Sequence, residues 1–271
     1  MLDKITHTNS NNETLDFTSL GIFVNYNELR DYEWEIKSSN NRITGFTKGI
    51  VKKPIPFKFC VDEDLANEIK NLFYEHFEID VLRESKGYFE INGYKYYCYV
   101  VKSVKSEYLE HKSILSIDVE IATDDSYWIK ETTYTAEFSS SATRTVTKYP
   151  FTYPFTYSSP MSVNVINEFF TDSHAIIRIY GRCTNPIVNV NENTYQLYVD
   201  LNTGEYAEID TFKRTITKYS SNGTQSNIFN SRNKSSDTFK KIPQGSFDIT
   251  TVGVEKIDIV LIERRGEPKW S

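Results

Sequence analysis

Apolar positions along this chain alternate more often than they recur at helical spacing. Leu115, Ile117, Val119 and Ile121 take every second position against Ser116, Asp118 and Glu120, which predicts a strand with one buried and one wet face. Over 195–201 the same pattern places Tyr195, Leu197, Val199 and Leu201 inward and Gln196, Tyr198 and Asp200 outward. Short runs at 176–181, 214–219 and 257–263, separated by Asn, Gly and Pro, extend the series. Residues 88–91 and 94–104 flank Asn92-Gly93, the dipeptide best able to supply the two positive φ angles of a type I′ hairpin turn. One segment departs from alternation. Over 62–77, Leu65, Ile69, Leu72, Phe73 and Phe77 recur at helical spacing behind Asp62-Glu63-Asp64, whose charge suits a helix N-terminus, and a single helix is predicted there.

The 19 Tyr and 17 Phe against 11 Gly strengthen the strand reading, because aromatic side chains pack well on a pleated, half-buried surface. The predicted fold class is mostly β: an α+β N-terminal domain with one helix, then a β-sandwich. At 271 residues the chain is long for one domain. Between 132 and 160 the composition shifts to Ser, Thr, Tyr and Pro, and Tyr149-Pro150-Phe151-Thr152 is repeated at once as Tyr153-Pro154-Phe155-Thr156. Two prolines four apart remove amide donors and suit an extended connector. The expected domains are therefore 1–138 and 139–263. Within the connector, Tyr149, Phe151, Tyr153 and Phe155 are expected to pack against a domain or a neighbouring subunit.

The net charge of −6 excludes the overall positive field that general nucleic-acid binding needs, so no specific nucleic-acid binding is expected. The longest uncharged stretch, 149–167, is rich in Tyr, Thr, Ser and Pro, and no membrane insertion is expected. Residues 1–10 lack the apolar run of an export signal, which places assembly in the cytoplasm. Cys60, Cys98 and Cys183 lie far apart and are read as buried free thiols. His7, His76, His111 and His174 are scattered, and no metal site or cofactor is expected. Phosphate loops, nucleophile elbows, HExxH and EF-hand loops are absent. Asp124 with Asp125, or Glu205, Glu208 and Asp210, supply the carboxylates a glycosidase needs, but their turn-like settings read as structural, and no catalytic residue is assigned.

The second half carries Ala175-Ile176-Ile177-Arg178-Ile179-Tyr180-Gly181, Thr184-Asn185-Pro186, Gly204-Glu205-Tyr206 and Ile209-Asp210. Phe239, Ile242-Pro243 and Gly245 follow, and the chain ends Glu263-Arg264-Arg265-Gly266-Glu267-Pro268-Lys269-Trp270. In this order the set resembles the phage distal tail protein (Dit) family, most clearly from about residue 149 onward. The resemblance implies an N-terminal domain that forms a hexameric ring at the tail tip and an outward galectin-like β-sandwich. It also implies that 264–271 return to the N-terminal domain, with Trp270 as a buried anchor. Its implied partners are five further copies in a homohexamer, the tail tube protein, a tail-associated lysin or fibre protein, and a receptor-binding protein. Its implied place is the tail tip of a virion, with a central channel for DNA. Trp34, within a strand expected over 30–36 that would augment a sheet edge of a neighbouring copy, is a further interface candidate. The other reading is a carbohydrate-binding protein that recognises the host surface with exposed aromatic rings.

Overall fold

The computed structural model describes residues 4–24, 28–108, 114–138, 146–149 and 162–270. The chain divides into two compact units, 1–130 with 264–271 and 131–263. The N-terminal unit contains, in chain order, β1 (Ile5–Thr8), β2 (Thr14–Asp16), β3 (Ile22–Val24), β4 (Glu35–Ser39), β5 (Arg42–Thr47), β6 (Val51–Cys60), β7 (Gly87–Ile91), β8 (Tyr94–Tyr108) and β9 (Ile114–Thr123). Helix α1 (Ala66–Leu82) follows β6 and is the only α-helix among the described residues. The fold is mostly β, as the alternation of apolar positions predicts.

Strand β8 is long enough to serve two sheets. Its first part pairs with β7 through the Asn92-Gly93 turn, where φ is 52° and 77°, and its later part pairs with β9. Register shifts near Val100 and Lys105 interrupt the β8–β9 ladder. One sheet runs β2–β1–β7–β8 and the other β3–β6–β9–β8. The alternation of β9 holds, with Leu115, Ile117, Val119 and Ile121 all buried. Their core is aromatic: Phe73 of α1 lies 5.1 Å from Phe57, 5.0 Å from Phe59 and 4.8 Å from Phe77, ring centre to ring centre.

The helix starts four residues after the predicted position and runs five beyond the predicted end. Asp62-Glu63-Asp64 form the turn that leads into it, with the Leu65 amide donating to Asp62 O. Its buried face consists of Ala66, Phe73, His76, Phe77 and Asp80, whereas Leu65 and Leu72 are exposed. The segment around Trp34 also differs from the sequence reading. Residues 30–34 are not a strand, and 38–41 form the tip of the β4–β5 hairpin, where Asn40 and Asn41 take φ of 49° and 58°.

The C-terminal unit begins within β10 (Trp128–Glu137) and contains β11 (Val146–Tyr149), β12 (Val163–Asn167), β13 (His174–Tyr180), β14 (Cys183–Thr184), β15 (Ile187–Val190), β16 (Asn193–Gln196), β17 (Asp200–Leu201) and β18 (Tyr206–Asp210). It continues through β19 (Thr215–Tyr219), β20 (Gln225–Asn227), β21 (Gly245–Val252) and most of β22 (Lys256–Arg265). One sheet runs β22–β13–β18–β19–β20 and a second β12–β21–β15–β16. Alternate residues of both, among them Ile177, Ile209, Val165, Phe247 and Val188, share one buried core. Tyr195, Leu197 and Leu201 are buried as expected, though the run is two short strands, β16 and β17, with Val199 only partly buried. The unit boundary at 130/131 falls inside a continuous strand, just before the composition shift that begins at 132 and ahead of the expected 138/139.

Candidate assembly surfaces

The β4–β5 hairpin is rooted by the loop that precedes it. Leu29 of that loop is fully buried, and its carbonyl accepts hydrogen bonds from Trp128 Nε1 at 3.1 Å and Lys53 Nζ at 3.3 Å. Lys53 Nζ also donates to Asp31 O and lies 5.2 Å from the Tyr96 ring. Burial pushes its ammonium down to about 8. Beside this root, Lys48 Nζ is enclosed by aromatic rings, 4.5 Å from Tyr127, 4.8 Å from Trp34 and 5.7 Å from Tyr32, and donates to Ser126 O at 2.8 Å. Burial, the largest cause, holds its pKa below that of an ordinary lysine. Arg264 lies 4.2 Å from the centre of the Tyr127 ring and pairs with Asp125.

Beyond the root the hairpin stands clear of the chain. Every β4 residue is exposed. Ile36 faces Phe46 across the ribbon and Ser38 faces Ile43, with a bulge in β5 between these pairs, where Thr44 Oγ1 donates to Lys37 O. The bulge resets the pleat, so Ile43 and Phe46, three apart in sequence, share one face. Trp34 joins them, its ring 6.3 Å from that of Phe46. Ile36, Ile43 and Phe46 are each 60% exposed, a concentration of apolar surface that an isolated two-stranded ribbon has no internal reason to carry.

The C-terminal segment is held on the same unit. Arg30 donates to Pro268 O at 2.9 Å, pairs with Glu267 at 3.5 Å and lies 3.8 Å over the Trp270 ring, while Asn92 Nδ2 donates to Lys269 O. Trp270 is nevertheless 72% exposed, so it is not the buried anchor that the resemblance implies. The contact is a stacked cation on a surface ring, and Pro268 is the residue that becomes buried. Tyr149 ends β11, paired with Thr133, and Phe151, Tyr153 and Phe155 lie outside the described residues.

Sequence reading misses one polar group in the N-terminal core. His7 Nδ1 and His76 Nε2 are 3.0 Å apart, His7 Nε2 is 3.9 Å from Asp80 Oδ2, and all three residues are buried. Asn9 Nδ2 lies 3.3 Å from His76 Nδ1, and its amide orientation is fixed because Oδ1 accepts from the Asn11 and Glu13 amides. His76 Nδ1 therefore accepts, His76 Nε2–H donates to His7, and His7 Nε2–H is directed at Asp80. Burial pushes His76 down to about 4, places His7 well below an ordinary histidine and raises Asp80. Neutral imidazoles in this closed setting join β1 to α1.

The acids considered for catalysis are each engaged. Asp124 pairs with Lys86 and Asp125 with Arg264; Glu205 pairs with Lys218 and accepts from the Asn202 amide; Glu208 pairs with Arg178. Asp210 is buried and closes a turn by accepting from the Phe212 and Lys213 amides. On the outer face of the C-terminal unit, Tyr180, Tyr206 and Tyr219 occupy one cross-strand row. Tyr206 and Tyr219 are 4.5 Å apart and 7° from parallel, so their ring faces cover each other instead of forming a flat platform. Cys98 and Cys183 are buried thiols, but Cys60 is exposed, because the pleat that turns Phe57 and Phe59 inward turns it out.

No family model matches this chain, and no curated protein matches it in sequence. Its fold is that of phage distal tail and baseplate proteins. Superposition on the Dit protein of phage SPP1, described as a paradigm of hub adsorption apparatus in phages infecting Gram-positive bacteria, gives a TM-score of 0.59 at 11% identity and covers 96% of this chain and 99% of that one. A chain of the phage P2 baseplate in its activated conformation with Ca matches with a TM-score of 0.61 at 12% identity, covering 99% and 100%. The form with Sr gives 0.60 at 10% identity over the same shares.

Proposed function

We propose that this chain is a structural subunit of a phage-type tail tip, with six copies closing into a distal hub. The observation that carries the reading is the extent of the fold match: both units are included, and the matched hub and baseplate chains are covered from end to end. A local likeness in one β-sandwich would carry far less, since sandwiches host many functions. The N-terminal unit forms the ring, around a channel through which DNA passes. The galectin-like C-terminal unit points outward. The ring joins the tail tube protein above to a tail-associated lysin or fibre protein below, and a receptor-binding protein is a further partner.

The engaged state of the candidate acids supports a non-catalytic role. The mutually stacked tyrosines give no support to carbohydrate recognition at that face. An antibody against the chain, applied to tailed particles from a culture carrying the gene, tests the placement. Label at the tail tip is expected, and label on the head or on no particle contradicts the reading.

A further inference from the structure

We propose that the apolar face of the β4–β5 hairpin docks on the outward flank of helix α1 in a neighbouring copy. This rests on the ring reading and names the contact that would close it.

The two surfaces match in shape and chemistry. Leu65, which immediately precedes α1, and Leu72 and Ile79 within it recur every seven residues, with Leu65 and Leu72 48% and 43% exposed, on a side of the helix distinct from the one that buries Phe73 and Phe77. Leu65 to Leu72 spans about 10 Å at the helical rise, and Trp34 to Ser38 spans about 13 Å along a strand. Two apolar stripes of similar length are thus open, one on each element.

Their charges are opposite. Residues 35–47 carry Lys37 and Arg42 against the one acid Glu35, whereas 62–82 carry seven acids and one base, with Glu68 and Glu75 beside the leucine stripe. Among the described residues Lys37, Arg42, Glu68 and Glu75 have no ion-pair partner in the chain. Lys37 and Arg42 lie on the face opposite the apolar one, on a ribbon only two strands wide whose edge such long side chains can reach. Hairpin against hairpin would set like charges together, as would helix against helix. The favoured contact is therefore between unlike surfaces, head to tail, which repeats until rotation closes a ring.

The test uses the full-length chain and reads assembly mass against concentration. Lys37→Glu with Arg42→Glu, and separately Glu68→Lys with Glu75→Lys, should each raise the concentration for half-dissociation by about tenfold or more. An equal mixture of the two variants should assemble again, because each hairpin then meets a helix of opposite sign. If a charge-reversed chain does not fold, Lys37→Gln with Arg42→Gln is read the same way, with weakened assembly expected. Wild-type assembly left unchanged by the reversals, or not restored in the mixture, overturns the hairpin contact and leaves the ring reading standing. A wild-type chain that never self-associates overturns both.

Discussion

Gly87 sits where no side chain fits: a Cβ there would lie 2.3 Å from Asp80 Oδ2, 2.6 Å from His7 Cε1 and 2.7 Å from Thr8 O. Gly87→Ala is expected to lower unfolding free energy by about 1–3 kcal/mol, measured by urea denaturation, and an unchanged midpoint would contradict the packing described. The same cluster makes stability depend on pH. Both histidines have folded pKa values below the unfolded one, so as pH falls below about 6.5 the unfolded chain takes up protons that the folded chain does not, and stability is lost. With His76 at about 4, its share of that loss is about 2 kcal/mol by pH 5. Asp80, raised by burial, acts in the opposite sense as pH falls, and Glu13 favours protonation of His76. The melting temperature should fall between pH 7.5 and 5, with a shallower fall in His76→Gln; equal slopes would refute the assignment. Trp270, being a surface ring under Arg30, should cost only about 0.5–1 kcal/mol on replacement by Ala, and a loss several times larger in the same denaturation assay would mean that it is buried. None of these contacts is legible from spacing, since His7 and His76 are 69 residues apart.

Elements were legible where one rule governs them. Asn92-Gly93 has a single good conformation, and β9 has one wet face, so turn and strand are found where expected. The β4–β5 hairpin is not legible in the sequence because its bulge breaks the alternation: Ile43 and Phe46 are three apart, which does not fit the period of two of a strand. Asn40-Asn41 was the available signal, because Asn tolerates the left-handed region. The C-terminal end of α1 lies beyond the predicted one because Asp80, the last residue of its buried face, is polar. The bulge can be tested. Deleting Thr44 removes the extra residue and leaves Ile43 two positions from Phe46 on the same face, so assembly and the melting temperature, set by the core, should both change little. Loss of assembly by the deletion chain would show that the bulge itself, and not only the shared face, is needed.

At the scale of the molecule, the mostly β fold follows from composition and alternation, and the composition shift from 132 lies near the seam between the units without fixing it. Their boundary lies within strand β10, and the segment 264–271, counted with the N-terminal unit, is held by contacts such as Arg30 to Pro268 that only the folded chain brings together. The proposed assembly is likewise not written in any short motif; it rests on surfaces left uncovered after each core is complete. The central claim is that this chain closes into a six-membered ring, and light scattering of the purified protein with negative-stain images of the same peak tests it most directly. Six times 31.5 kDa, about 189 kDa, imaged as a ring with an open centre, is the predicted result. A species of 31.5 kDa at every concentration, with no rings in the images, would contradict it.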